Sequence, residues 1–480
     1  MNVFMRPPCR FPSQPTMGPL EETTPDLRRI LHSPFRLPTL LWIRLSLLFL
    51  IITAGSAATP ATQSHPPNIL LIVSDDHAWT DYGFMGHPHI RTPNIDRLAG
   101  QSLRFTRGYV PSSLCCPSLA SILTGRYPHQ HGITGNDPPL PAGLNGAARY
   151  QSPAFRNGRD RMNQRMAALP TLPRQLDSAG YRSFQSGKWW QGHFRNGGFT
   201  HGMTRGEEVP GGRHGDEGLR IGRETLEPIH EFIDESTRAH QPWMVWYAPL
   251  MPHDPHTPPD RLLNHYRPLA PSLHVARYWA MVEWFDETVG ELLQSLDRRG
   301  LASNTIVAYV ADNGWIQSPD NPRYAPRSKQ SPHDGGLRTP LLIRWPSQIR
   351  PRTDSTPVSS IDLFPTLLRA AGVQVPVETP GLDLTDSRAV RRRNTALGAC
   401  FTHDIPDLEH PGQGLRWRWI VRGDWKLIVP DPIREPGSTP ELYHLGVDPM
   451  ETRNLAGSEP RRMRRLRGVL DAWWPGPLGP

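Results

Sequence analysis

Lysine is almost missing from this sequence. Of the 53 lysines and arginines among its 480 residues, only Lys188, Lys329 and Lys426 are lysine. Arginine is a planar, permanently charged fork, whereas lysine is a compact, strongly hydrated ammonium on a flexible stem. A chain that uses arginine almost everywhere keeps lysine where the compact ammonium is needed. Cysteine is scarce too. Cys9, Cys115, Cys116 and Cys400 make no disulfide framework, and the adjacent pair Cys115–Cys116 would be a strained bridge. No heptad or solenoid period recurs, which excludes a coiled coil or a repeat array. Proline (54) and glycine (41) are plentiful, so the chain reads as loop-rich and globular, with room for one large core and a smaller second one.

The most continuous apolar run is near the N-terminus. Arg28, Arg29 and Arg36 precede it, and after Arg44 it reads L-S-L-L-F-L-I-I-T-A-G-S-A-A. Basic residues, a short apolar run and small residues predict an export leader over 1–58, with Met17 as an alternative start. The run is too short for a stable membrane span, although a retained N-terminal anchor is the alternative. The expected location is periplasmic or secreted. The leader holds six arginines and three acids, so +5 of the chain's net +8 falls on the remainder. That mild excess either draws a polyanionic substrate or is an ordinary solvated surface. No nucleic acid partner is expected. Residues 59–67 read as a polar, proline-bearing linker.

Asn68–Ser74 (N-I-L-L-I-V-S) is apolar on both faces, as in a central strand of a helix-covered sheet. It ends in Asp75 and Asp76. Ligands of open α/β sheets bind at the C-terminal ends of strands, and two carboxylates there suit a hard cation. Thr305–Ala311 is a second such strand and ends in Asp312-Asn313-Gly314, which completes an oxygen-rich cation site. A short helix is predicted over 92–100, a long polar loop over 134–166, a helix over 172–179 and short strands over 181–185 and 243–247. A helix with a proline interruption is predicted over 216–233, and helices over 277–296 and 361–372. His253 and His256 fall in the proline-stiffened loop M-P-H-D-P-H-T-P-P. The charged stretch 375–394 reads as a domain junction, followed by three short strands and a final helix beginning at 448.

The stretch Pro111–Gly132 organises the rest: P-S-S-L-C-C-P-S-L-A-S-I-L-T-G-R-Y-P-H-Q-H-G. Pro117 suits a first helical position, residues 118–123 a short helix and Gly125 its end, so Cys115 is expected just ahead of a helix N-terminus, where anions are favoured. C-x-P-S-x-A-S-x-L-T-G-R resembles the signature of the formylglycine-dependent sulfatases of the alkaline phosphatase superfamily. The resemblance extends through G-K-W-W around Lys188, P-H-x-P-H with His253, the strand with D-N-G, and K-x-x-x-x-D-G-G from Lys329 to Asp334. It ends in E-L-Y-x-L-x-x-D-P-x-E-x-x-N-L. Two of the three lysines thus stand at the family's two active-site lysine positions. Two departures stand out. Leu119 is where the family has arginine, and Trp190 is where it has a histidine that contacts the formylglycine. His193 and His129 are the candidates to replace it.

The resemblance implies an α/β fold, a large mixed sheet sandwiched by helices, with a smaller C-terminal subdomain of antiparallel strands and a helix. The catalytic domain would span 68–385 and the subdomain 386–480. It implies hydrolysis of sulfate esters, with Cys115 converted by a formylglycine-generating enzyme to the nucleophile. Asp75, Asp76, Cys115, Asp312 and Asn313 would hold Ca²⁺, or Mg²⁺. Lys188 and Lys329 would bind the sulfate, and Lys329 or His253 would protonate the leaving alcohol. The substrate would be a sulfated small molecule or glycan. Trp79, Trp189, Trp190 and Trp315 are either sugar-stacking platforms or loop anchors. The alternatives are a phosphate or phosphonate ester hydrolase of the same superfamily and a degenerate, non-catalytic binder of sulfated glycans.

Overall fold

The computed structural model describes residues 66–206 and 212–477; the leader predicted over 1–58 lies outside them. β1 (Asn68–Ser74) takes the middle of the main sheet, and its composition gives the reason. Residues Ile69, Leu70, Leu71, Ile72 and Val73 are each at most 1% exposed. Burying one such side chain contributes about 1.5–3 kcal/mol, so a strand apolar on both faces is most stable where both faces are covered.

The other strands of that sheet are β2 (Leu103–Tyr109), β3 (Arg182–Gly187), β4 (His201–Gly202), β5 (Trp243–Ala248), β6 (Thr305–Ala311), β7 (Arg338–Arg344), β8 (Arg352–Asp354) and β9 (Val358–Ser359). Their spatial order is β4-β3-β5-β1-β6-β7-β2-β8, with β9 also paired to β2. The strands from β4 to β6 run parallel, and β7 is antiparallel to both its neighbours. Alternate side chains feed two cores. Ile69, Leu71, Val73, Trp246 and Val310 pack against helices Cys115–Thr124, Leu172–Asp177 and Leu363–Ala370. Leu70, Ile72, Val245 and Tyr309 pack against helices Pro93–Gly100, Glu227–Arg238 and Leu273–Arg298.

A second sheet is formed by β10 (Thr395–Phe401), β11 (Leu415–Arg422), β12 (Trp425–Pro430) and β13 (Glu441–His444), all antiparallel. Trp419, Val421, Ile428 and Tyr443 on one face meet Tyr109, Val110 and Leu337. Ile420, Leu427, Val429 and Leu442 on the other meet Leu466 and Leu470 of helix Pro460–Trp473. The mixed sheet between helices, with a smaller antiparallel sheet and a helix, is the architecture predicted. Among the described residues no helix is long and apolar enough to cross a membrane.

Three local expectations need correction. The stretch expected as a loop over 134–166 contains helices Ala147–Gln151 and Pro153–Ala168. Ser152 caps the longer one by accepting from the Phe155 amide, and Phe155, Met162 and Met166 bury its thin apolar stripe among many arginines. Pro228 lies in the first turn of helix Glu227–Arg238 instead of interrupting a longer one, because its missing N–H costs nothing there. The final helix begins at Pro460 rather than 448. Asp448 accepts from the Thr452 and Arg453 amides, a turn that closes on itself.

Candidate active site

The register of β1 against β6 builds the site. Asn68–Ser74 pairs residue for residue with Thr305–Ala311, which carries Asp75 and Asp76 to the same level as Asp312 and Asn313. The Asp76 amide donates to Asp312 Oδ1 at 3.1 Å, and Asn313 Nδ2 donates to Asp76 Oδ1 at 2.6 Å. Asp76 has φ 61°, a left-handed conformation unusual outside glycine, and these bonds hold it there.

Lys188 and His253 come from the neighbouring strand ends. β3 pairs with β5 up to Gly187 and Ala248, and the Lys188 amide donates to the Ala248 carbonyl at 2.6 Å. Gly187 has φ +82°, and a Cβ there would meet that carbonyl oxygen at 2.0 Å, so only glycine makes this turn. Lys188 Nζ then lies 2.7 Å from Asp75 Oδ1. His253 Nε2 lies 3.3 Å from Asp76 Oδ2, and its Nδ1 faces Asp254 at 2.8 Å. Lys329 Nζ donates to Asp76 at 2.7 Å. Each active-site lysine also has an indole beside it: Lys188 is 5.9 Å from the Trp190 ring and Lys329 5.4 Å from that of Trp315.

Cys115 is the first residue of helix Cys115–Thr124, not the one ahead of it, and Pro117 is its third residue. All ten residues of that helix are buried, and Gly125 ends it with φ 65°. The two adjacent thiols differ. Burial raises the Cys115 thiol, but Lys188 and Lys329 outweigh it and bring it down to about 7. Burial pushes Cys116 up to about 12, where its sulfur accepts from Gln191 Nε2 at 3.1 Å. Cys115, Cys116 and Cys400 are free thiols, as expected of the adjacent pair.

Burial and the Asp75 charge hold the Asp312 carboxyl well above the usual range. Burial also raises Asp76, yet Lys329 and His253 bring it below. Burial and Lys188 lower His253, but Asp75 and Asp76 lift it to about 10. Asp312 thus shows the effect of burial and a like charge, and Asp76 and His253 that of opposite charges close by.

The donor set fits a hard cation. Asp75 Oδ2, Asp312 Oδ2 and Asn313 Oδ1 are buried without a hydrogen-bond partner. One ligand atom from each of Asp75, Asp76, Cys115 and His253 lies within 4.8 Å of the others. Buried carboxylate and amide oxygens of this kind suit a hard cation such as Ca²⁺ or Mg²⁺.

Some expectations do not survive. His193 caps a short turn through the Arg195 amide, and His129 stacks on Trp474 at 4.4 Å. Neither is placed with Lys188. The residue the sequence did not reveal is His214, whose ring lies 4.4 Å from that of Trp190. Its Nε2 is buried and unpartnered, and burial, Arg213 and Lys188 hold it well below the usual histidine range, so it is neutral. R-H-G-D carries no motif, and only the fold brings it to Trp190. Trp189 is a core residue at 2% exposure and offers no free face to a sugar, whereas Trp79 is half-buried with the Arg338 guanidinium at 3.8 Å over one face of its ring. Leu119 is absorbed into the apolar core. Asp334 pairs with Lys426 at 2.8 Å.

A mixed sheet covered by helices on both faces, with carboxylates, ammoniums and a thiol gathered at the ends of its central strands, is an α/β class of fold with its site at the strand ends. Comparison with known proteins narrows the class. The chain belongs to the sulfatase family of sulfuric ester hydrolases: the sulfatase family model matches residues 67–373. A second model, the C-terminal region of N-sulphoglucosamine sulphohydrolase, matches residues 328–467. The chain is 28% identical to arylsulfatase A of Homo sapiens, over 88% of this chain and 91% of that one. It is 30% identical to N-acetylgalactosamine-6-sulfatase of Homo sapiens, over 83% and 82%. The PsFucS1 sulfatase of Pseudoalteromonas sp. shares the fold with a TM-score of 0.64 at 20% identity, over 86% of this chain and 90% of that one.

Proposed function

We propose that this sulfatase cleaves sulfate esters of a carbohydrate, using formylglycine made from Cys115 and a divalent cation, Ca²⁺ or Mg²⁺. The observation that carries the reading is the pair of buried ion pairs, Lys188–Asp75 and Lys329–Asp76, which set an ammonium against each of two cation donors. When present, formylglycine supplies the attacking hydroxyl and the cation polarises the sulfate. Asp75, Asp76, Asp312, Asn313 and residue 115 would hold the cation. Conversion of Cys115 needs a formylglycine-generating enzyme, and the 1–58 leader supports an exported protein.

The chain's own residues supply the rest. Lys188 and Lys329 neutralise the equatorial sulfate oxygens, and in a buried site that neutralisation is far stronger than in water. Burial lowers both ammoniums, but their carboxylate partners raise them above the usual lysine range, so they stay charged. Lys329 or His253 gives the proton to the leaving alcohol. His214, unpartnered at Nε2 beside Trp190, is the imidazole available to stand in for the family's histidine, and substrate binding would have to raise its basicity for it to accept a proton. A cleft of about 500 Å³ lined by Asp254, His256, His274 and Arg277 adjoins His253 and has room for a sugar ring.

Substrate assays test the reading. Purified converted protein is expected to release sulfate from an aryl sulfate and from a 6-O-sulfated amino sugar. Release of phosphate from an aryl phosphate with no sulfate release would replace it with a phosphoesterase, and binding of sulfated sugars without turnover would replace it with a degenerate binder.

A further inference from the structure

The catalytic site does not account for the arginines gathered beside the C-terminal sheet. A cleft of about 570 Å³ opens between helix Ser387–Arg393, the β11–β12 turn and helix Pro460–Trp473. Seven of its twelve lining residues are arginine and one, Glu459, is acidic, so the cleft is strongly positive whatever the net charge of the chain. Arg391, Arg392, Arg422, Arg461 and Arg465 are exposed. Among the described residues none of the five has an ion-pair or side-chain hydrogen-bond partner; Arg392 has only Asp386 at longer range. By contrast, Arg393 is held by Asp362, and Arg462 lies 4.0 Å over the Trp425 ring with Glu459 at 3.7 Å.

Five unpaired guanidinium groups around one depression repel one another, and an anionic ligand relieves that repulsion. Guanidinium forks match the oxygens of sulfate as they do those of phosphate. The cleft also lies apart from the active site. Along β12 side chains alternate between faces. Lys426 points to the face that meets the main sheet, where it pairs with Asp334. Trp425 packs on the opposite face, with the residues under helix Pro460–Trp473.

We propose that this cleft is a second, non-catalytic binding site for a sulfated polysaccharide, which holds a polymeric substrate on the enzyme between cleavages. The assignment of sulfate over phosphate rests on the sulfatase reading above. A shallow, open, arginine-lined trough with a half-buried indole suits a flexible polyanion carrying many charges, because each contact is weak and the number of contacts sets the affinity.

The test measures binding directly, with no turnover required. The Cys115→Ala protein is run by affinity electrophoresis through gels containing dextran sulfate, unsulfated dextran or single-stranded DNA. Two double variants on one helix are compared: R461E/R465E, which line the cleft, and R464E/R467E, which carry the same charge change outside it. A third variant, R391E/R392E, reaches the cleft from the other side. Dextran sulfate should retard the parent and R464E/R467E alike, unsulfated dextran should retard neither, and both cleft variants should lose at least about tenfold in affinity. Hydrolysis of a small aryl sulfate by the converted enzyme should be unchanged in the cleft variants. Equal binding by cleft and control variants would overturn the site. Tighter retention by single-stranded DNA than by dextran sulfate at matched salt would overturn the glycan and make the cleft a nucleic-acid site. Failure of the sulfatase reading would appear separately, as absence of aryl sulfate hydrolysis with the binding pattern intact.

Discussion

The Lys329 ammonium lies 2.7 Å from both carboxylate oxygens of Asp76, and both residues are buried. The chain's other two lysines are placed in the same way. Lys188 is 2.7 Å from Asp75, and Lys426 is 2.8 Å from Asp334 and from Glu451. Every lysine of the sequence is therefore a buried partner of carboxylates. The scarcity of lysine marks places where a compact cation must fit between acids.

For Lys188 and Lys329 the expected consequence is catalytic. Arginine's fork is bulkier and does not readily give up a proton. Lys188→Arg and Lys329→Arg should each lower turnover of an aryl sulfate by at least about tenfold, roughly 1.4 kcal/mol of transition-state stabilisation. Circular dichroism is the folding control, and near-parental rates in both variants would refute the role of the compact ammonium.

Lys426 lies on β12, away in sequence from the active-site motifs. The structure makes its exchange for arginine costly, because Lys426 is fully buried between two acids. Lys426→Arg should destabilise by about 1–3 kcal/mol through overpacking. Lys426→Met leaves both acids uncompensated and should cost about 3–5 kcal/mol. Urea unfolding measures both, and a change within about 0.5 kcal/mol for Lys426→Met would show that the triad is unimportant.

Cation removal should be visible in the free protein. A bound ion relieves the crowding of Asp75, Asp76 and Asp312, so chelation should lower Tm, and Ca²⁺ at about 100 times its Kd should restore about 2.7 kcal/mol. Asp312→Ala should lose metal content by elemental analysis together with turnover. Full metal content in that variant would place the cation elsewhere.

His214 should matter although no motif contains it. His214→Ala should lower kcat by about 100-fold with metal content unchanged, and free imidazole should return part of the activity. An unchanged kcat would leave the ring as packing for Trp190.

The sequence was most legible where local pattern and tertiary environment agree. β1 and β6 are apolar on both faces, and both were readable to the residue, with Asp75, Asp76, Asp312 and Asn313 just past their ends. Helix Pro153–Ala168 was hidden because only a thin apolar stripe interrupts its polar and arginine-rich surface. β10 was hidden as well: Gly398 breaks its pattern, yet a Cβ there would meet the Pro111 carbonyl oxygen at 2.2 Å. Close approach of two segments, not strand propensity, selects that glycine. His214 was illegible for the same reason, since its meaning lies in the distant chain against which it packs.

The two cysteines separate the account from its rivals. Cys115→Ala should abolish turnover, whereas Cys116→Ala, which removes an inert buried thiol, should leave measurable activity. The reverse pattern would place the nucleophile at Cys116.

The most direct measurement is the mass of the tryptic peptide Gly108–Arg126 from protein made together with a formylglycine-generating enzyme. Leu119 offers trypsin no cleavage point, so the fragment runs unbroken from Gly108 to Arg126 and holds both cysteines. Formylglycine at Cys115 exchanges one sulfur and two hydrogens for one oxygen. The account predicts a peptide lighter by that exchange, with fragment ions placing it on residue 115. A peptide carrying two intact cysteines in protein that still hydrolyses an aryl sulfate would contradict it.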